Sequence, residues 1–266
     1  MNRTTLLENT VISYDDKGIG KPLVFLHGYL EAKEVWQPLT SILSGEFRII
    51  AVDLPGHGAS GIAGEVHTMD LMAEAVSEVM KDAGIDRALM TGHSLGGYVA
   101  LAFADKYPEK LAGYVLFHSH PHADPPEAVE KRNREISLVR AGKKDLMYPG
   151  NVSMMFAERN LVKMREAVSR FKDIASENPG EGIIALLKGM IARPSRKNVV
   201  EGGMVPLLWI LGRHDRYFTP EKVLRDIKLP HNAEVEILEE SGHLGFIEET
   251  EKSARLIAGF TSRMKW

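Results

Sequence analysis

Apolar residues recur along this chain in two alternating rhythms, one suited to strands and one to helices. Residues 22–26, 47–52, 88–91, 113–117 and 206–212 are short, nearly unbroken apolar runs. Runs of that kind predict strands buried on both faces, the mark of a parallel sheet. Val11-Ile12-Ser13-Tyr14 is a short alternating strand, with a hairpin-type turn expected at Asp15-Asp16-Lys17-Gly18. Val235-Glu236-Ile237-Leu238 predicts a further strand nearer the sheet edge. Between these, Val35, Trp36, Leu39, Ile42 and Leu43 fall at helical spacing. Leu71, Met72, Ala75, Val76, Val79 and Met80 form one helix face, with Thr68 as its N-cap and Gly84 beyond its C-terminus. Residues 98–104 have helical character, and a last amphipathic helix carries Ala254, Ile257, Ala258 and Met264. The pattern predicts an α/β fold built on a doubly wound, mostly parallel sheet.

The rhythm changes at Pro121. Asp124-Pro125-Pro126-Glu127 combines an N-cap residue, a proline for the first helical position and an acidic third one, opening a charged helix to Arg140. Helical stretches follow at 144–159, 162–175 and 182–192, with no intervening strand. So long a helical stretch exceeds a single crossover. Residues 1–120 and 204–266 are therefore expected to form the sheet core, and 121–203 an inserted helical lid. Met147, Met154, Met155, Met164 and Met190 concentrate in the lid. Most read as gap-filling core, with one or two lining an apolar acyl or aryl pocket.

Composition removes whole classes of function. A net charge of −3 supplies neither a basic stripe for nucleic acid nor a polybasic membrane anchor. The absence of cysteine excludes disulfides, thiolate metal sites and a cysteine nucleophile. The first residues lack the apolar core of a signal peptide, and no segment has the apolar length of a membrane span. These features lead to the expectation of a cytoplasmic protein.

The chemistry concentrates at Gly92-His93-Ser94-Leu95-Gly96-Gly97, between a predicted strand and a predicted helix. A serine on a sharp strand-to-helix turn projects its hydroxyl clear of the backbone, and flanking glycines let the two backbones approach. The following amide, that of Leu95, opens the helix and can face a developing oxyanion. A glycine-rich turn alone could be structural, so the partners decide. A serine hydroxyl needs a base to take its proton, and the base needs an orienting group. Asp215 and His243 follow the strands that end at Gly212 and Leu238. In a parallel sheet those loops gather at the edge where Ser94 also lies.

In these pieces the chain resembles the α/β-hydrolase superfamily. The matching segments are His27-Gly28-Tyr29, Asp53-Leu54-Pro55-Gly56-His57-Gly58, Gly92-His93-Ser94-Leu95-Gly96-Gly97, Gly212-Arg213-His214-Asp215 and Gly242-His243. The resemblance implies Ser94 as nucleophile, His243 as general base and acid, and Asp215 as its orienting carboxylate. It also implies an oxyanion hole from the amides of Tyr29 and Leu95, with His27 and Gly28 shaping the loop that delivers the first. His57 belongs to a structural turn, and His93 is expected to be buried and hydrogen-bonded. Asp124 competes as triad acid, but its capping pattern favours the cap.

His118, His120 and His122 alternate, so an extended segment would align three imidazoles on one face. Without spare carboxylates nearby they make no convincing metal site. Gly28, His118 and His120 are instead expected at the substrate pocket. Serine at position 94 disfavours the family members that use aspartate or cysteine there. The resemblance is to esterase-like members. Cleavage of a small or medium acyl ester through an acyl-enzyme is expected, with no cofactor and a small-molecule acyl substrate as partner. C–C bond hydrolysis, thioester hydrolysis and perhydrolysis remain open on the same three residues. A slow-turnover ligand receptor is the alternative of another class.

Overall fold

The computed structural model describes the backbone of residues 1–266 and every side chain except those of Met147 and Pro149. Of the five methionines at 147, 154, 155, 164 and 190, only Met147 lies outside the described side chains.

Eight strands make one sheet: β1 (Asn2–Leu7), β2 (Thr10–Lys17), β3 (Pro22–Leu26), β4 (Arg48–Val52), β5 (Ala88–His93), β6 (Leu111–Phe117), β7 (Leu207–Gly212) and β8 (Ala233–Leu238). Their spatial order is β1-β2-β4-β3-β5-β6-β7-β8. β1 and β2 pair antiparallel, as do β2 and β4, and every remaining pair is parallel. The parallel members β5, β6 and β7 are buried along their whole length, as unbroken apolar runs require.

The crossovers are helical. α1 (Gln37–Leu43) joins β3 to β4, α2 (Met69–Asp82) joins β4 to β5, and α3 (Leu95–Lys106) joins β5 to β6. Thr68 caps α2 by accepting the Leu71 amide at 3.1 Å, and Gly84 adopts φ +64° just past its end. Between β6 and β7 lie α4 (Pro126–Arg140), α5 (Lys144–Met155), α6 (Arg165–Glu177), α7 (Gly180–Ala192) and α8 (Lys197–Gly202). α9 (Pro220–Leu224) precedes β8, and α10 (Gly245–Glu248) and α11 (Thr250–Arg263) end the chain. α2 packs on α3 and α1 on α11, giving the sheet its two helical layers. The helices after β6 are tied down to the core. The His67 amide donates to Ala185 O of α7 at 2.9 Å, and Gly182 and Gly189 leave no room for a Cβ against Gly56 and His67.

One strand was unforeseen and two expectations need correction. β1 has no apolar period, because as an edge strand it alternates only between exposed and half-buried positions. The turn expected at 15–18 lies instead at Glu8 and Asn9, and Asp15, Asp16 and Lys17 continue β2 along β4. Arg48 makes those acidic strand positions tolerable by donating to both carboxylate oxygens of Asp16 at 3.0 and 2.8 Å. Finally, α4 starts at Pro126 and its N-cap is Pro125, so Asp124 caps nothing. Its carboxylate is engaged by Arg132 and Arg193 instead.

Candidate active site

Ser94 sits between β5 and α3 with φ 48° and ψ −108°, a strained conformation for a residue with a Cβ. Its amide donates to Phe117 O at 2.9 Å, and its carbonyl accepts from Ser119 Oγ at 2.7 Å. The glycines of the turn answer a packing demand. A Cβ on Gly92 would lie 2.1 Å from Gly96 O, and one on Gly96 would lie 2.2 Å from Leu26 O. Only glycine lets strand, turn and helix approach this closely. Leu95 opens α3, where the first amides have no intrahelical acceptor.

The loop after β7 delivers Asp215. Its Oδ1 accepts the amides of Tyr217 and Phe218 at 2.8 and 3.0 Å, which fixes the carboxylate plane. Its Oδ2 accepts from His243 Nδ1 at 2.7 Å. Burial by itself would raise the Asp215 pKa. The opposing charge of His243 and the donors of His118 and His243 outweigh that and hold it well below the usual carboxylate range.

His243 is held from two sides. Its amide donates to Met155 O at the end of α5 at 2.6 Å, and its carbonyl accepts from His93 Nε2 at 2.8 Å. Tyr217 and Phe218 pack on the ring at centroid distances of 5.0 and 5.3 Å. With Nδ1 committed to Asp215, the proton of a neutral ring resides there and Nε2 carries the lone pair. An imidazole so oriented can take a proton from a hydroxyl. Ser94 and His243 line the same cavity of about 600 Å³, together with Tyr29, His120, Met155 and Met190.

His27 and His93 support the loops around this cavity. His27 Nε2 accepts the Leu54 amide at 3.0 Å, while its Nδ1 lies 2.8 Å from Gly28 O. His93 is fully buried, with Nδ1 3.0 Å from Glu31 Oε2. The same Glu31 oxygen accepts the Gly28 amide at 2.6 Å. Glu31 thus ties the loop after β3 to the end of β5. Periodicity offered no signal for it, since a single acid in a loop reads as solvated until burial is known. His57 is buried beside His27, ring centroids 5.3 Å apart, and is not in the cavity wall.

The expectations for the pocket divide. His120 lines the cavity, with Nε2 3.0 Å from Tyr98 Oη. His118 does not: it is fully buried, its Nε2 accepts the Gly245 amide at 3.1 Å, and its Nδ1 lies 3.4 Å from Asp215 Oδ2. The extended alternation fails because His118 adopts φ +47°, which turns it away from the face that His120 shares. Burial, only partly opposed by Asp215, pushes the His118 pKa down to about 4. Gly28 also lies outside the cavity wall, behind the loop and against His93 and Glu31.

Among the described residues, His118, Asp215 and His243 bring ligand-type atoms within 4.8 Å of one another. Those atoms face each other: both imidazole Nδ1 atoms meet the same carboxylate oxygen. No helix among the described residues is long and apolar enough to cross a membrane.

Comparison with known proteins agrees with this architecture. A sequence profile of the alpha/beta hydrolase fold matches residues 21–250. The chain is 29% identical over 245 residues to the dihydrolipoyllysine-residue acetyltransferase component of the acetoin cleaving system of Pseudomonas putida. That match covers 91% of this chain but only 63% of the relative's length. A pimeloyl-[acyl-carrier protein] methyl ester esterase of Aeromonas hydrophila is 27% identical over 257 residues, covering 94% of this chain and 98% of the esterase. Among solved structures, a thermophilic esterase from Thermogutta terrifontis superposes with a TM-score of 0.92 at 27% identity. It covers 99% of this chain and 98% of its own.

Proposed function

This chain belongs to the α/β hydrolase fold family, and from that premise we propose that it is a serine hydrolase cleaving a small or medium carboxylic ester. The observation that carries the reading is the 2.7 Å bond from His243 Nδ1 to a buried Asp215, on a ring that shares its cavity with the strained Ser94. Residues 121–203 form the lid over that cavity in this reading, and Met155 and Met190 give it apolar surface.

In the proposed mechanism Ser94 Oγ attacks the ester carbonyl as His243 Nε2 takes its proton. The amides of Tyr29 and Leu95 receive the negative charge that develops on the carbonyl oxygen. Asp215 stays ionised and stabilises the imidazolium. His243 then gives the proton to the departing alkoxide, leaving an acyl-serine. Water enters, His243 takes its proton, and the acid is released as Ser94 recovers its hydrogen.

The test is turnover of p-nitrophenyl acyl esters by the native chain and by Ser94→Ala. The variant is expected to lose about 10⁴-fold or more in kcat with an unchanged far-UV spectrum. A fluorophosphonate should label Ser94 in the native chain. Near-native turnover by Ser94→Ala would overturn the assignment. A single acylation burst without turnover would mark a receptor instead.

A further inference from the structure

The cavity wall built by α4 and the first turn of α3 carries charge that the acyl-transfer reading leaves unused. Arg132 of α4 lines the cavity and donates Nε and Nη2 to Asp124, the second at 3.2 Å. Arg193, just past α7, meets the same carboxylate at 2.8 Å and lies 3.9 Å above the centre of the Tyr98 ring. Two guanidinium groups thus share one carboxylate, and the trio keeps a net positive charge. Its members differ in access: the side chains of Asp124 and Arg193 are 4% and 2% exposed, that of Arg132 18%. Arg132 and Asp124 both line the cavity, and Arg132 is the more exposed, with N–H groups to spare once Asp124 has taken two.

Tyr98 adds a donor beside it. His120 Nδ1 accepts the His122 amide at 3.2 Å, so the proton of the neutral ring sits on Nε2 and is donated to Tyr98 Oη at 3.0 Å. Burial, together with Arg193, pushes the His120 pKa down to about 3, in keeping with a neutral ring. The Tyr98 hydroxyl, accepting from His120, has its own proton left for an acceptor in the cavity, which Tyr98 lines. Two further acids, Glu127 and Glu135, line this wall beside the bases. Glu127 is exposed, and burial raises the Glu135 pKa despite Lys131 and Arg132 nearby. Lys131 and Lys222 line the same cavity.

We propose that Tyr98 and Arg132 form a carboxylate-binding subsite, so that the preferred substrates are esters carrying a free carboxylate, such as half-esters of dicarboxylic acids. The guanidinium and the phenol supply the donors such a group needs, and Asp124 with Arg193 holds the guanidinium in place. The assignment rests on Ser94 being the nucleophile in the same cavity.

The experiment compares the p-nitrophenyl half-ester of glutaric acid with p-nitrophenyl valerate, its neutral counterpart of equal chain length. The full chain is expected to prefer the charged ester by about tenfold or more in kcat/KM, and the preference should fall toward unity in Arg132→Gln and in Tyr98→Phe. Equal rates, or preference for valerate, in the native chain overturn the proposal, as does a preference unchanged in both variants. Tyr98→Phe leaves the ion pairs of Asp124 intact and keeps the test decisive if Arg132→Gln fails to fold. Glutarate binding, measured by calorimetry on Ser94→Ala, separates the two readings. If Ser94 is not the nucleophile, Ser94→Ala either cleaves both esters as the native chain does or neither protein cleaves them, yet glutarate binds, and Tyr98→Phe weakens that binding. If the subsite is wrong, esters are cleaved and glutarate does not bind.

Discussion

His118 Nδ1 lies 3.4 Å from Asp215 Oδ2, the oxygen that His243 Nδ1 meets at 2.7 Å. The Gly245 amide occupies His118 Nε2, so the ring proton sits on Nδ1, facing the carboxylate. A buried carboxylate is costly unless donors surround it; this one accepts two amides and the His243 imidazole, with His118 Nδ1 in a longer electrostatic contact at 3.4 Å. His118 is in this reading a positioning residue that acts through Asp215 and never meets the substrate.

His118→Asn tests that role, because asparagine tolerates the positive φ of the position. Loss of the imidazole should lower kcat/KM about tenfold, mainly in kcat, while KM for p-nitrophenyl butyrate stays near native. An unchanged kcat, or a rise confined to KM, would remove His118 from the support of Asp215.

The buried histidines are expected to lower the stability of the fold in acid. His118 and His67 are buried side chains whose pKa values are pushed down to about 4, in both cases chiefly by desolvation, and burial lowers His27 and His57 in the same direction. The unfolded chain therefore binds more protons than the folded one between pH 6.5 and 4, so stability rises with pH across that window. Each of the first two should cost about 2 kcal/mol between pH 7 and pH 5. Urea midpoints measured from pH 7.5 to 4.5 should be level above about pH 6.5 and fall below it. A flat profile down to pH 5 would show that these rings are protonated in the native state.

The glycines at the serine turn are expected to be irreplaceable for reasons of space. Gly92→Ala and Gly96→Ala each drive a methyl into backbone, and should cost about 3 kcal/mol or prevent folding. Gly45→Ala is the control: nothing lies within 4 Å of its Cβ position, so the change should stay within about 0.5 kcal/mol. Urea unfolding of the three variants decides the matter. A mild effect at Gly96 would mean that Leu26 O can move and that the turn is looser than its contacts indicate.

The sequence by itself determined the parallel strands, because a strand covered on both faces must be apolar throughout. It also determined Thr68 and Gly84 as the punctuation of α2, because capping is local chemistry. The glycines around Ser94, and the places of Asp215 and His243 after their strands, were equally legible, since loops after parallel strands share one edge. Other features had no local signature. The edge strand β1 is defined by its partner rather than by a periodic face, and the acidic end of β2 depends on Arg48 from another strand. Glu31 with His93, and Asp124 with Arg193, are pairings between distant segments, where burial turns an ordinary surface charge into a buried one. His118 and His120 show the divide most plainly. Their alternation placed them on one face, and a single residue at φ +47° sent one ring beneath Asp215 and left the other in the cavity. A sequence pattern carries the periodicity of an element, while the departure of one backbone angle from that periodicity is decided by everything packed around it.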